Sequence, residues 1–173
     1  MKLSTIITPL GILVAVSAQA QSSPWTVRAG FSGLANNNSV NNLKFEGFTA
    51  GLGYDLSRFR QGLSLDINFD THSNFGNKLE STSGMFVYRA PLSAGQDAEN
   101  QNYFGFGFGV MNNRLTSSAS SSTFSTTKTV GGATFLLGVN VNSSSSLELV
   151  LRVSPSIQGV VPNTVGLVYS KHF

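Results

Sequence analysis

The chain has 173 residues, no cysteine and a formal charge of +3, and only 11% of its residues are charged, against roughly 25% in an average soluble domain. Without cysteine there is no disulfide framework, so stability must come from pairing and burial. Apart from Arg58-Phe59-Arg60 the basic residues stand singly, too scattered for a nucleic-acid-binding patch.

The amino terminus reads as an export signal. Met1-Lys2 gives a short positive start, Ile6 to Val16 an apolar stretch broken by Pro9 and Gly11, and Ala18-Gln19-Ala20 the small-x-small cleavage pattern. Cleavage is expected after Ala20, leaving residues 21–173 as one domain. The apolar stretch falls short of the ~20 residues a spanning helix needs, and no later run reaches that length. A membrane location would have to be reached with strands.

From there the period is two nearly everywhere. Trp25, Val27, Ala29 and Phe31 alternate with Thr26, Arg28, Gly30 and Ser32 in the first segment. A second follows around Phe48-Ala50-Leu52-Tyr54. In the third, Leu63, Leu65, Ile67 and Phe69 alternate with Ser64, Asp66, Asn68 and Asp70. The fourth surrounds Phe86 and Tyr88, and the fifth sets Phe104, Phe106, Phe108 and Val110 against Tyr103, Gly105, Gly107 and Gly109. A sixth runs through Ala133-Phe135-Leu137-Val139. The seventh sets Leu147, Leu149, Leu151 and Val153 against Glu148, Val150, Arg152 and Ser154, and the eighth passes Val165, Leu167 and Tyr169 to end at Phe173. Each of the eight is close to the ~10 residues that cross a bilayer as a tilted strand.

The links alternate in length. Asn36 to Ser39, Thr71 to Thr82, Leu115 to Lys128 and Pro155 to Asn163 are polar and long; Ser57 to Gln61, Pro91 to Asn100 and Asn142 to Ser146 tend to be shorter. Extracellular loops and periplasmic turns produce that alternation. The Ser/Thr-rich run Thr116 to Thr127 is expected to be a mobile loop. With this topology Trp25, Tyr54, Tyr88, Phe104 and Phe173 fall at the periplasmic rim and point outward, as an aromatic girdle at a membrane interface would.

A secreted soluble barrel would place the apolar face inside. Its exterior should then carry ~25–35% Lys, Arg, Glu and Asp. Here the polar face is mostly Gly, Ser, Thr and Asn, and an eight-stranded interior has little room for Phe31, Phe48, Phe69, Phe86, Phe104, Phe106, Phe108 and Phe135 together. The expected fold is therefore all-β: an eight-stranded antiparallel up-and-down transmembrane β-barrel.

With its export signal, Trp25-Thr-Val-Arg-Ala-Gly30 as opening strand, eight alternating segments and terminal Phe173, the chain resembles the small outer-membrane barrels of the OmpA-barrel, OmpX and OmpW type. The resemblance covers residues 21–173 and implies a location in the outer membrane, outer-membrane lipid as surroundings, and insertion through the terminal strand. One departure is Lys171, where that family usually places an apolar or aromatic residue two before the final Phe.

Inside such a barrel Arg28, Asp66, Arg89, Glu148 and Arg152 share the inward phase and need partners. A strand pairing centred near Gly76-Asn77 would set Asp66 diagonally across from Arg89, with Gly105, Gly107 and Gly109 leaving space for the charged groups. The network can be read as an ion path or as a polar plug, and the narrow lumen favours the plug.

Motifs for chemistry are scarce. Gly105-x-Gly107-x-Gly109 lacks the spacing and the strand-to-helix turn of a dinucleotide fingerprint. His72-Ser73, with Asn74 and Glu80, invites comparison with outer-membrane lipid A deacylases. Adjacent strand residues face opposite ways, however, so a solvated loop is the simpler expectation. His172 is expected to face the lumen, and no metal, cofactor or catalytic residue is indicated. Three roles remain open: a structural or surface-interaction protein with a plugged lumen, favoured as a monomer; a transporter of small solutes or hydrophobic compounds; and a lipid-modifying enzyme.

Overall fold

The computed structural model describes residues 23–36, 46–74, 76–92, 101–119 and 122–173. Eight strands follow one another around a closed barrel: β1 (Trp25–Leu34), β2 (Glu46–Asp55), β3 (Leu63–Asn74), β4 (Asn77–Pro91), β5 (Asn102–Ala119), β6 (Ser122–Asn142), β7 (Ser145–Val153) and β8 (Thr164–His172). Every neighbouring pair is antiparallel, and β8 closes on β1 from Thr26↔His172 to Leu34↔Thr164. The Phe173 N–H donates to the Trp25 carbonyl at 3.0 Å, so both ends of the barrel domain meet at one rim, here called the near rim.

The period-two pattern sorts the two faces. The eight phenylalanines that would have crowded a soluble core all face outward, with Phe31 77% and Phe108 68% exposed. A continuous apolar exterior on that scale is not compatible with water as the surrounding solvent.

The inward face is less uniformly polar than its sequence suggested. Met85, Val87, Tyr103, Met111, Leu136, Val150 and Val168, from β4 to β8, form an apolar wall along one side of the lumen. The glycines of β5 open no space for charges. A Cβ on Gly105 would meet Leu136 at 2.9 Å, and one on Gly107 would meet Val87 at 2.8 Å, so apolar neighbours already fill the gap. At the opposite, far rim, Leu34, Leu79, Ile157 and Val160 pack together with Leu115. Ile157 and Val160 exchange backbone hydrogen bonds of 2.8 and 2.9 Å, folding the β7–β8 connection inward as a stopper.

Two of the expected long loops are strand instead. Thr71 to Thr82 belongs to a continuous β3–β4 ladder whose last pair is Asn74↔Asn77, with Gly76 at φ 85°, a conformation only glycine adopts cheaply. The turn is centred one residue earlier than expected, which shifts the register by two, so that Asp66 opposes Met85. Leu115 to Lys128 likewise lies in β5 and β6, which pair without interruption up to Ala119↔Ser122. Threonine is a good strand former, and hydroxyl pairs across a ladder add to it. At 18 and 21 residues, these two strands far exceed the ~9–11 needed to span a bilayer. On β5 the outward set changes from Phe104, Phe106, Phe108 and Val110 to Asn112, Arg114 and Thr116, which marks where the wall leaves the apolar zone.

Candidate functional site

Strand phase alone turns Arg28 of β1, Asp66 of β3, Arg89 of β4 and Glu148 of β7 into the lumen, and strand tilt brings them to one level. Arg28 pairs with Asp66 through Nη1 and Oδ2 and approaches Glu148 Oε2 at 3.9 Å. Arg89 binds the same two carboxylates, with Nη2 at 2.9 Å from Asp66 Oδ2 and Nε at 3.0 Å from Glu148 Oε1. The result is a ring of alternating charge in which each group has two partners of opposite sign.

Neutral residues complete the ring. Arg89 Nη1 donates to Ser64 Oγ at 2.7 Å, Ser64 donates to Asp66 Oδ1 at 2.9 Å, and the Tyr103 hydroxyl donates to Glu148 Oε1 at 2.8 Å. Two bases balance two acids. In a low-dielectric interior this matters, because a desolvated charge costs several kcal/mol that only well-placed partners repay. Backbone approach is equally tight: a Cβ on Gly53 would lie 2.9 Å from the Arg28 guanidinium, and one on Gly138 would lie 2.3 Å from the Tyr103 ring.

Arg152 does not join this ring. It forms a second neutral pair with Asp70, at 2.8 and 3.1 Å to the two carboxylate oxygens, and also reaches Thr49 Oγ1 at 3.4 Å. Between the two charge clusters lies a void of about 10 Å³, at the lower limit of what one water needs. Towards the near rim a vestibule of about 420 Å³, lined by Gln61, Tyr88, Gln101, Asn140 and His172 among others, ends at Arg89 and Tyr103. His172 sits at its edge, 3.0 Å from Thr26 Oγ1 and 3.3 Å from Ser146 Oγ.

Arg89 reaches Asp66 although the shifted ladder puts it two pairs further from that residue than a diagonal neighbour. Its length makes up the difference. Sequence reasoning left out Tyr103, Ser64 and Asp70 as partners. Asp70 and Ser64 do share the phase of Asp66, whereas Tyr103 stood at the head of a glycine stripe and carried no charge to draw attention.

His72 and Ser73 lie in β3, not in a solvated loop. His72 is buried with Nε2 3.3 Å from Ser32 Oγ, Ser73 is exposed on the opposite face, and Glu80 pairs with Lys78 at 2.6 Å. Three separated groups cannot act as a nucleophile with its base. No cluster of three potential metal ligands occurs among the described residues.

At the near rim Trp25, Tyr54 and Phe104 face outward and are exposed, while Tyr88 and Phe173 are half-buried. Trp25 packs edge-on against Tyr54 with centroids 4.9 Å apart. Tyr88 packs against Phe106, at 5.9 Å, and not against Phe104, and the Arg60 guanidinium lies 5.2 Å above its ring. Ala18 and Ala20 lie outside the described residues.

A closed eight-stranded barrel with an apolar exterior, aromatics at one rim and a compensated polar lumen defines a small integral outer-membrane β-barrel. The family model described as the outer membrane protein β-barrel domain matches residues 6–157, and the chain belongs to that family. Among solved structures, the N-terminal β-barrel domain of OprF from Pseudomonas aeruginosa is similar with a TM-score of 0.63 at 14% identity, covering 88% of this chain and 100% of that one. Neisserial surface protein A (NspA) gives 0.61 at 13% identity, covering 89% and 100%. Ail, the attachment invasion locus protein of Yersinia pestis, gives 0.58 at 12%, covering 87% and 98%. No curated protein matches the chain by sequence.

Proposed function

We propose that the protein is a sealed outer-membrane barrel with a structural and surface-interaction role. The observation that carries this is the charge-balanced ring of Arg28, Asp66, Arg89 and Glu148, with a void of about 10 Å³ between it and Arg152. The second pair and the far-rim stopper add two more barriers in series. In this reading the near rim is periplasmic and the far rim extracellular. Trp25, Tyr54, Tyr88, Phe104 and Phe173 anchor the periplasmic interface through rings that are apolar in body and, for Trp and Tyr, polar at one edge. The chain is exported with cleavage after Ala20, inserts through its terminal strand, and stands as a monomer within its own membrane, surrounded by lipid.

The surface role is supported by the β5–β6 hairpin, which carries polar strand beyond the apolar band. Fold analogy with a surface protein and an attachment protein points the same way, as analogy only. Liposomes containing the refolded chain, placed in an isotonic solution of a small sugar, should swell no faster than empty ones. Swelling at the rate of an open porin would overturn the sealed barrel.

A further inference from the structure

The far part of β6 has one strand beside it, not two. The β6–β7 ladder begins at Ala133↔Val153, whereas β6 pairs with β5 as far out as Ser122. Among the described residues nothing pairs with the other side of 122–132, because the chain leaves β7 at Val153 and turns inward to plug the mouth.

Which backbone groups are open follows from the hydrogen-bond phase. The Ser118 N–H donates to Gly76 and the Leu92 N–H to Asn102, so even-numbered β5 residues face β4; the Asn140 N–H donates to Gln101, so odd-numbered β5 residues face β6. Facing residues in the β5–β6 register have opposite parity. Even-numbered β6 residues therefore bond to β5, and Thr123, Ser125, Thr127, Thr129 and Gly131 present both N–H and C=O to the open side. Among the described residues no backbone hydrogen bond joins the β7–β8 connection to them. Its contacts are with Lys128, whose Nζ donates to the Ser156 carbonyl at 3.3 Å, and with Thr126 Oγ1, which accepts from Gln158 at 3.3 Å; both are side chains of the bonded phase.

Natural edges are usually blunted by proline, bulges or clustered charge. This one has no proline, an unbroken ladder to β5 and the single charge of Lys128. It is also complementary to itself. Antiparallel pairing centred on Thr127 sets Phe124 against Val130 twice, Ser125 against Thr129 twice and Thr127 against its own copy, giving aromatic with β-branched on one face and hydroxyl with hydroxyl on the other. Centring on Lys128 would oppose two ammonium groups, and centring on Thr126 would move Phe124 from Val130 to Lys128.

We propose that 122–132 is a homotypic docking edge, which takes the same segment of a second copy of this chain as an added antiparallel strand. The symmetry fixes where that copy sits. The two-fold axis of such a pair stands perpendicular to the sheet, and this sheet continues the barrel wall, so the axis crosses the barrel axis and inverts it. The second copy is in a facing membrane, and the contact joins two membranes. This rests on the sealed, outward-facing barrel proposed above. Sugar-driven swelling would sink that reading, whereas unclustered but impermeable liposomes would sink this one alone.

The test uses the chain refolded into two liposome populations, one carrying a size-tagged copy, with clustering followed by light scattering. Clustering is expected only when both populations carry the protein. Thr127→Pro removes the central outward N–H without touching a β5 bond, and should abolish clustering while heat-modifiable migration of the barrel on gels persists. Because the chain has no cysteine, Thr127→Cys places one thiol opposite its own copy, and oxidation should give disulfide-linked dimers of mixed size. Ser125→Cys, which would face Thr129, should give none. Clustering with protein in one population only, dimers of unmixed size only, or no dimer from Thr127→Cys would each overturn the proposal.

Discussion

On either side of Ala133 the same strand lives in two environments. Towards Asn142, β6 is held by β5 and β7, and its inward side chains Thr134 and Leu136 are buried. Towards Ser122 its only paired strand among the described residues is β5, and most of its side chains are exposed. The barrel portion pairs its backbone on both sides and has little left to offer a partner. The projecting portion has the reverse balance, a regular strand that pairs along one side only among the described residues. Regular structure and completed structure are thus separate properties, and only the second resists association.

If that contrast is right, the largest penalties belong to the lumen. Glu148→Ala leaves Arg28 and Arg89 sharing the single carboxylate of Asp66, and should cost about 3–5 kcal/mol, the usual penalty for stranding a buried charge, read as a lower temperature for loss of the compact gel form. Arg152→Met alone should cost a similar amount, and adding Asp70→Leu should recover most of it, because a neutral pair can be replaced as a unit. No recovery would mean that Asp70 has stabilising partners beyond Arg152.

Gly138→Ala comes next. Its Cβ would lie 2.3 Å from the Tyr103 ring, and moving that ring breaks the bond to Glu148, for a cost of about 1–3 kcal/mol in the same assay. Trp25→Ala removes the edge contact with Tyr54, a contact of the kind worth about 0.5–1.5 kcal/mol beyond area burial. Smallest of all is Thr127→Pro, expected within about 0.5 kcal/mol of wild type in barrel stability. A large loss there would show that the projecting edge is part of the barrel's own cooperative unit, and the contrast drawn above would fail.

The barrel itself was legible in the sequence because period two and outward aromatics are local signals that tertiary context does not alter. Phase also identified Arg28, Asp66, Arg89, Glu148 and Arg152 as inward. Their division into a ring and a separate pair was not legible, because it depends on strand tilt. Arg28 opposes Gly51 across the ladder, yet its partner Asp66 lies on the next strand and two residues along. A two-residue change in the β3–β4 register likewise alters every diagonal while leaving the phase intact. The hairpin from Leu115 to Lys128 was misread for a different reason. Low hydrophobicity suggested a loop, but a strand pair extending an existing sheet needs only a ladder to continue, and threonine favours it. The apolar wall was hidden in single residues such as Val87, Leu136 and Val150 that look like noise in an otherwise polar phase.

The sealed lumen is the claim on which the rest stands, and planar-bilayer recording from the purified, refolded chain addresses it most directly. The account predicts no steady open level from the wild-type protein. A stable ohmic current through single inserted barrels would contradict it.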